Sequence, residues 1–246
     1  MAETDRLYRQ HGTTVGGVAY DEGLRKYMLG VYNYMALGVA GTAIVALLFL
    51  TNDALRNLFL GPVRFIPFIG ILAMGWVGPK MIFSSRNPAT AHAAYWGYVA
   101  LWGMLIGPVV AAFVGVGLGI EVAKAFFISA SIFGAMSLYG YTTKKDLSGW
   151  SRFLMMAGIG LLVAIGVNIV LSFFMDVSLL SFALSGVIVL FISAVTAYET
   201  QMIKGLYAQG QGEMNQRASI FGAFALYGSF ASLFINILNM LGMARD

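Results

Sequence analysis

Glu199 is one of very few acidic residues that fall inside a long apolar stretch, in the run Ala197-Tyr198-Glu199-Thr200-Gln201. At about 100° per residue, Ser193, Thr196 and Thr200 share a helical face and Glu199 lies roughly 60° from Thr196. A carboxylate at membrane depth costs desolvation free energy. It therefore calls for a cationic partner, a titration role, or an interfacial pairing with Lys204 or Gln201. A second polar set follows: Ala225, Ser229, Ser232, Asn236 and Asn239 fall within roughly 80° of one another, with Gly222 at the edge of the stripe. Lipid offers no hydrogen-bond partners, so this stripe must face other helices or a polar cavity. Packing contacts and the lining of an ion pathway both remain open for it. Asn168 reads as a packing hydrogen bond, and Lys80 and Arg86 as cations whose heads snorkel from a helix end.

Other chemistries lack their residues. Cysteine is absent and His11 and His92 are the only histidines, which removes thiolate nucleophiles, Cys-ligated metals and His-rich metal sites. The chain has no nucleophile elbow, no HExxH, no phosphate loop and no pair of Asp residues on two spans. Gly115 to Gly119, GVGLG, lacks a flanking strand and reads as a loop. The expectation is a protein that is not an enzyme and holds no cofactor beyond transient calcium. A net charge of +4 is spread through short gaps rather than gathered on one stretch, so it reads as a topology signal and not as a nucleic-acid surface.

The elements that hold these residues follow from composition. Of 246 residues, 59% are apolar and 11% charged, with a mean hydropathy of +0.79. Soluble proteins carry roughly 25% charged residues, and so few charges cannot coat a globule. A helix needs about 20 apolar residues to cross the bilayer. Charge-free stretches predict an all-α integral membrane protein with seven transmembrane helices, at about 27–51, 65–85, 92–117, 123–143, 153–175, 178–203 and 217–243. The second contains Lys80, Pro67 and Pro79. Residues 1–26 form an N-terminal tail, residues 27–244 one membrane domain. The first apolar run is too long for a cleavable signal peptide, whose apolar region is about 7 to 15 residues.

Seven spans put Arg6, Arg9, Arg25, Lys26, Lys80, Arg86, Lys144, Lys145, Arg152, Lys204 and Arg217 on one side, against Arg56, Arg64, Lys124 and Arg245 on the other. Basic residues accumulate on the cytoplasmic side. The N-terminus is therefore expected in the cytoplasm and the C-terminus, with a short loop from Ile120 to Lys124, outside it. Residues 208–216 are expected to be a hydrophilic connection between spans six and seven. ASIFGAMSLYG (Ala130 to Gly140) and ASIFGAFALYG (Ala218 to Gly228) differ at two positions and lie on antiparallel spans. Inverted repeats occur in transporters, but these residues are also the common vocabulary of packed membrane helices.

Five stretches carry a resemblance: KYMLGVYNYMALG (Lys26 to Gly38), FGAMSLYGYTTKKDLSG (Phe133 to Gly149), VNIVLSFF (Val167 to Phe174), AYETQMIK (Ala197 to Lys204) and ALYGSFASLF (Ala225 to Phe234). Together they resemble the Bax inhibitor family in its bacterial branch, from about Asp21 to Gly242. The resemblance implies a bacterial inner-membrane protein of seven helices, the last central in the bundle, and a calcium or cation leak gated by pH. It also implies an Asp pair on spans six and seven, latched by an Arg at the end of span two. Here Glu199 stands for the first Asp, Ser229 for the second and Ser232 for a common Asn, while the latch position matches Arg86. A lone carboxylate lacks the like-charged neighbour that couples two titrations, which puts the family's pH gate in doubt. Glu199, helped by Ser229, Asn236, carbonyls and water, would give a weak calcium site, since calcium takes about six to eight oxygens. The competing reading is a non-conducting partner of a membrane protease, a role the resemblance implies for some bacterial relatives.

Overall fold

The computed structural model describes residues 2–61, 63–84, 87–207 and 212–244, with side chains from residue 22 onward except at position 88. Its helices are α1 (Ala2–Thr51), α2 (Asp53–Leu60), α3 (Phe65–Ser84), α4 (Pro88–Gly115), α5 (Gly119–Thr142), α6 (Ser151–Leu171), α7 (Ser178–Gly205) and α8 (Gly212–Met243). A 3-10 turn, Ser148–Trp150, leads into α6, and no strand occurs among the described residues. All but α2 contain a stretch long and apolar enough to cross a membrane, which makes seven candidate spans among the described residues.

The core of the bundle is α8. In its most apolar window 78% of residues are buried, against 6% for the span that contains α6, so the last helix is enclosed and α6 is peripheral. It packs on α1, α3, α4, α5 and α7. Small residues permit this: a side chain added at Gly222 would meet Val31 and Ile203, and one added at Gly228 would meet the Tyr98 hydroxyl. In α4, Gly103 and Gly107 receive Val45 and Phe49 of α1 in the same way. The ASIFGA copies share a sequence but not an environment. Phe224 and Ala223 of the α8 copy are buried, whereas on α5 an added side chain at Gly134 would meet open space.

Two described connections, after α4 and after α5, are short. Residues 116–118 turn between α4 and α5 with Gly117 at φ 84°, so the GVGLG stretch is the loop that its glycines suggested. The loop between α5 and α6 is fixed by Gln201 of α7: Leu147 N donates to its Oε1 at 2.7 Å, and its Nε2 donates to Lys145 O at 2.8 Å. Within that loop, two hydrogen bonds from Ser148 hold the Asp146 carboxyl below its ordinary pKa.

Two expectations are corrected, and one element is added. Ile120 to Lys124 are not a loop but the start of α5, where Glu121 is buried and bound by Lys124 at 3.3 Å. An i,i+3 pair lets both charges stay within a helix at the membrane edge. Residues 212–216 already belong to α8, again with a charge pair one turn apart, Glu213 to Arg217 at 3.0 Å. The connection after α1 contains a further short helix, α2, capped by the Asn52 side chain accepting from Leu55 N.

Candidate functional site

The seam between α7 and α8 brings the two principal sequence candidates together. Ser229 Oγ donates to Glu199 Oε2 at 2.7 Å. Glu199 lies six residues before the end of α7 at Gly205, about 9 Å along the axis at 1.5 Å per residue. Ser229 is buried and Glu199 half-buried. The interfacial alternatives are not what the structure shows. Lys204 Nζ donates to Tyr141 O at 2.9 Å and lies over the Tyr141 ring, and Gln201 is committed to the α5–α6 loop. Glu199 has no ion pair among the described residues.

Both residues line a cavity of about 520 Å³ between α3 and α6, two helices that do not pack on each other. Its walls include Gly75 and Pro79 of α3, Tyr98 of α4, Leu154 of α6 and Ser232 of α8. The gap has a packing cause: α6 leans on α7 and the preceding 3-10 turn, while α3 leans on α4 and α8. Beyond Ser232 the core of α8 closes, since Leu233, Phe234, Ile237 and Leu238 are buried. The oxygen-bearing side chains in the lining are those of Glu199, Ser229, Ser232, Tyr98, Tyr198 and Ser151. One carboxylate among hydroxyls suits a weakly held, partly hydrated cation rather than a tight metal site. No cluster of three or more His, Cys, Asp or Glu occurs among the described residues.

The remaining candidates divide. Ser232 is in the cavity wall. Asn236 turns back on its own helix, its Nδ2 donating to Ser232 O at 2.8 Å, and is not part of the lining. Arg86 lies outside the described residues. Asn168 makes the packing contact expected of it, exchanging hydrogen bonds with Ser181 of α7 at 3.1 and 3.2 Å.

Sequence reasoning gave Arg217 only a topological role, yet it is buried. Its Nη1 donates to Ile82 O at 3.1 Å and its Nη2 to Glu213 Oε1 at 3.0 Å. Ile82 is in the last turn of α3, whose carbonyls lack helical partners. Arg217 thus ties the end of one cavity wall to α8. The available signal was the Glu213-x-x-x-Arg217 spacing, which reports a helical turn but not the distant carbonyl. A buried hydroxyl chain was missed as well: Tyr32 and Ser137 hydroxyls are 2.6 Å apart, Ser137 and Thr200 3.0 Å, and Thr200 donates to Thr196 O. It joins α1, α5 and α7 on the other side of α7 from the cavity.

A family model described as "Inhibitor of apoptosis-promoting Bax1" matches residues 24–246. Among curated proteins, an uncharacterized protein of Rickettsia prowazekii is 37% identical over 239 residues, covering 95% of this chain and 96% of its own length. One from Caulobacter vibrioides is 38% identical over 247 residues, covering 93% of each. The inner membrane protein YbhL of Escherichia coli is 35% identical over 228 residues, 91% of this chain and 94% of its own.

Proposed function

Because the chain belongs to the Bax inhibitor family, we propose that it is a low-affinity leak pathway for cations, calcium among them, in the cytoplasmic membrane of a bacterium. The observation that supports this reading most is the Glu199 carboxylate facing a cavity of about 520 Å³ with a hydroxyl donor and no cationic partner among the described residues. A carboxylate in such a place is expensive unless something positively charged visits it. Permeation requires that the visit be brief, and a single carboxylate with neutral oxygens satisfies that requirement.

The conformation corresponds to a closed state: α8 packs tightly beyond Ser232, and Arg217 holds α3 against α8 at the other end. Gating is assigned to the end where α3 stops and α8 starts. Arg86, two residues beyond Ser84, is the latch of this proposal. Since Ser229 takes the place of the family's second acid, the leak should lack a coupled two-carboxylate titration. The excess of basic residues on one side supports an N-terminus in the cytoplasm and a C-terminus outside it. The relative YbhL bears the name of an inner membrane protein, which accords with that location.

Accessibility tests the pathway. The chain is free of cysteine, so Ser232→Cys provides a single thiol in the cavity wall. A cationic methanethiosulfonate reagent applied to proteoliposomes should label it and reduce calcium leak. Complete labelling with unchanged leak would contradict the pathway.

A further inference from the structure

A second crevice runs between α1 and α5, which meet through the Tyr32 and Ser137 side chains rather than by close backbone packing. Its volume is about 590 Å³, and Arg25, Leu29, Tyr32, Gly134, Ser137 and Tyr141 are among its walls. Among the described residues, Arg25 is the only charged one in the lining, and it is exposed. Inward come apolar side chains, and the Tyr32 and Ser137 hydroxyls already satisfy each other at 2.6 Å. The crevice ends toward Phe133, which stacks edge-on with the α8 ring of Phe230. From Tyr141 to Phe133 is eight residues of helix, about 12 Å, close to the roughly 15 Å hydrocarbon depth of one leaflet.

We propose that this crevice holds one acyl chain of an anionic phospholipid from the leaflet on the basic side of the protein, with its phosphate at Arg25. The commitment to a lipid follows from depth and lining: the wall is apolar over one leaflet's thickness, and the medium it faces is hydrocarbon. The commitment to an anionic headgroup follows from charge. Lys26 adjoins Arg25, Lys204 lies over the ring of the lining residue Tyr141, and Lys144 and Lys145 follow the end of α5. Against them stand Glu22, one turn from Arg25, and Asp146 in the following loop. The local excess is positive, and each basic residue near the surface favours an anionic lipid by about fivefold.

Native mass spectrometry of the purified full-length chain, delipidated in detergent and offered phosphatidylglycerol and phosphatidylcholine of equal chain length, tests this. One phosphatidylglycerol should bind in preference to phosphatidylcholine by at least about fivefold. Arg25→Gln, at an exposed position, should remove most of that preference while leaving residual binding of both lipids. Gly134→Phe fills the crevice without meeting other atoms at its Cβ and should abolish binding of both. Lys124→Gln, at the opposite end of α5, should change nothing. The proposal is overturned if Gly134→Phe binds phosphatidylglycerol as the parent does, or if the two lipids bind the parent equally. It is also overturned if the parent flies as a dimer that Gly134→Phe disperses, since the crevice would then be an interface between two copies.

Discussion

Replacing Arg217 by Met keeps an apolar stem of similar reach and deletes the guanidinium that joins α3 to α8. Two of the interactions lost with it join described residues. The bond to Ile82 O, at 3.1 Å from a buried donor, belongs to the charge-assisted class worth about 1.5–3 kcal/mol. The pair with Glu213, whose side chain is 72% exposed, adds at most about 0.5 kcal/mol. The α3 end should therefore open locally about 2 kcal/mol more easily, a factor of roughly 30. Hydrogen–deuterium exchange read by mass spectrometry on the peptide covering residues 76–84 should report that acceleration, with peptides from α6 unchanged. Arg217→Lys should fall between, because a single ammonium replaces a forked donor. If Arg217→Met exchanges within about twofold of the parent, or if Glu213→Gln reproduces the whole effect, the tie to Ile82 is not what holds α3.

Two further outcomes are expected. Ser229→Asp places a second carboxylate at the oxygen now 2.7 Å from Glu199, and two acids that close share a proton. Calcium leak through this variant should follow a pH profile displaced from the parent's, and superimposable profiles would show that Ser229 is not the partner position. For topology, Val116→Cys in the exposed α4–α5 turn should react with an impermeant maleimide from outside the cell, and Lys145→Cys only after permeabilisation. The reverse pattern would invert the orientation.

The seven spans were legible because hydrocarbon thickness imposes a length on each apolar run. The central position of α8 was legible because a stripe of two Ser and two Asn finds no hydrogen-bond partners facing lipid. Glu199 and Ser229 could be named as neighbours only through the family resemblance, since spacing within a helix says nothing of what faces it. Glu121, Lys124 and Glu213 misled because a count of uncharged residues ends a span at the first charge, whereas one-turn ion pairs carry helices past it. The α3–α6 cavity, the α1–α5 crevice and the reach of Arg217 to Ile82 depend on which helices fail to pack closely, and no local pattern encodes that. Asn236 shared the stripe's periodicity, but its side chain found a carbonyl on its own helix first.

The central claim is that Glu199 receives the permeating cation, and calcium flux into liposomes holding the purified protein measures it most directly. The parent should leak above protein-free liposomes. Glu199→Gln, which keeps the shape and the oxygen that accepts from Ser229 but removes the charge, should lower the flux at neutral pH by about tenfold or more, the equivalent of ~1.4 kcal/mol or more of lost ion attraction. Glu199→Asp should retain most of it. Equal flux through Glu199→Gln and the parent, or a parent no leakier than bare lipid, would contradict the account.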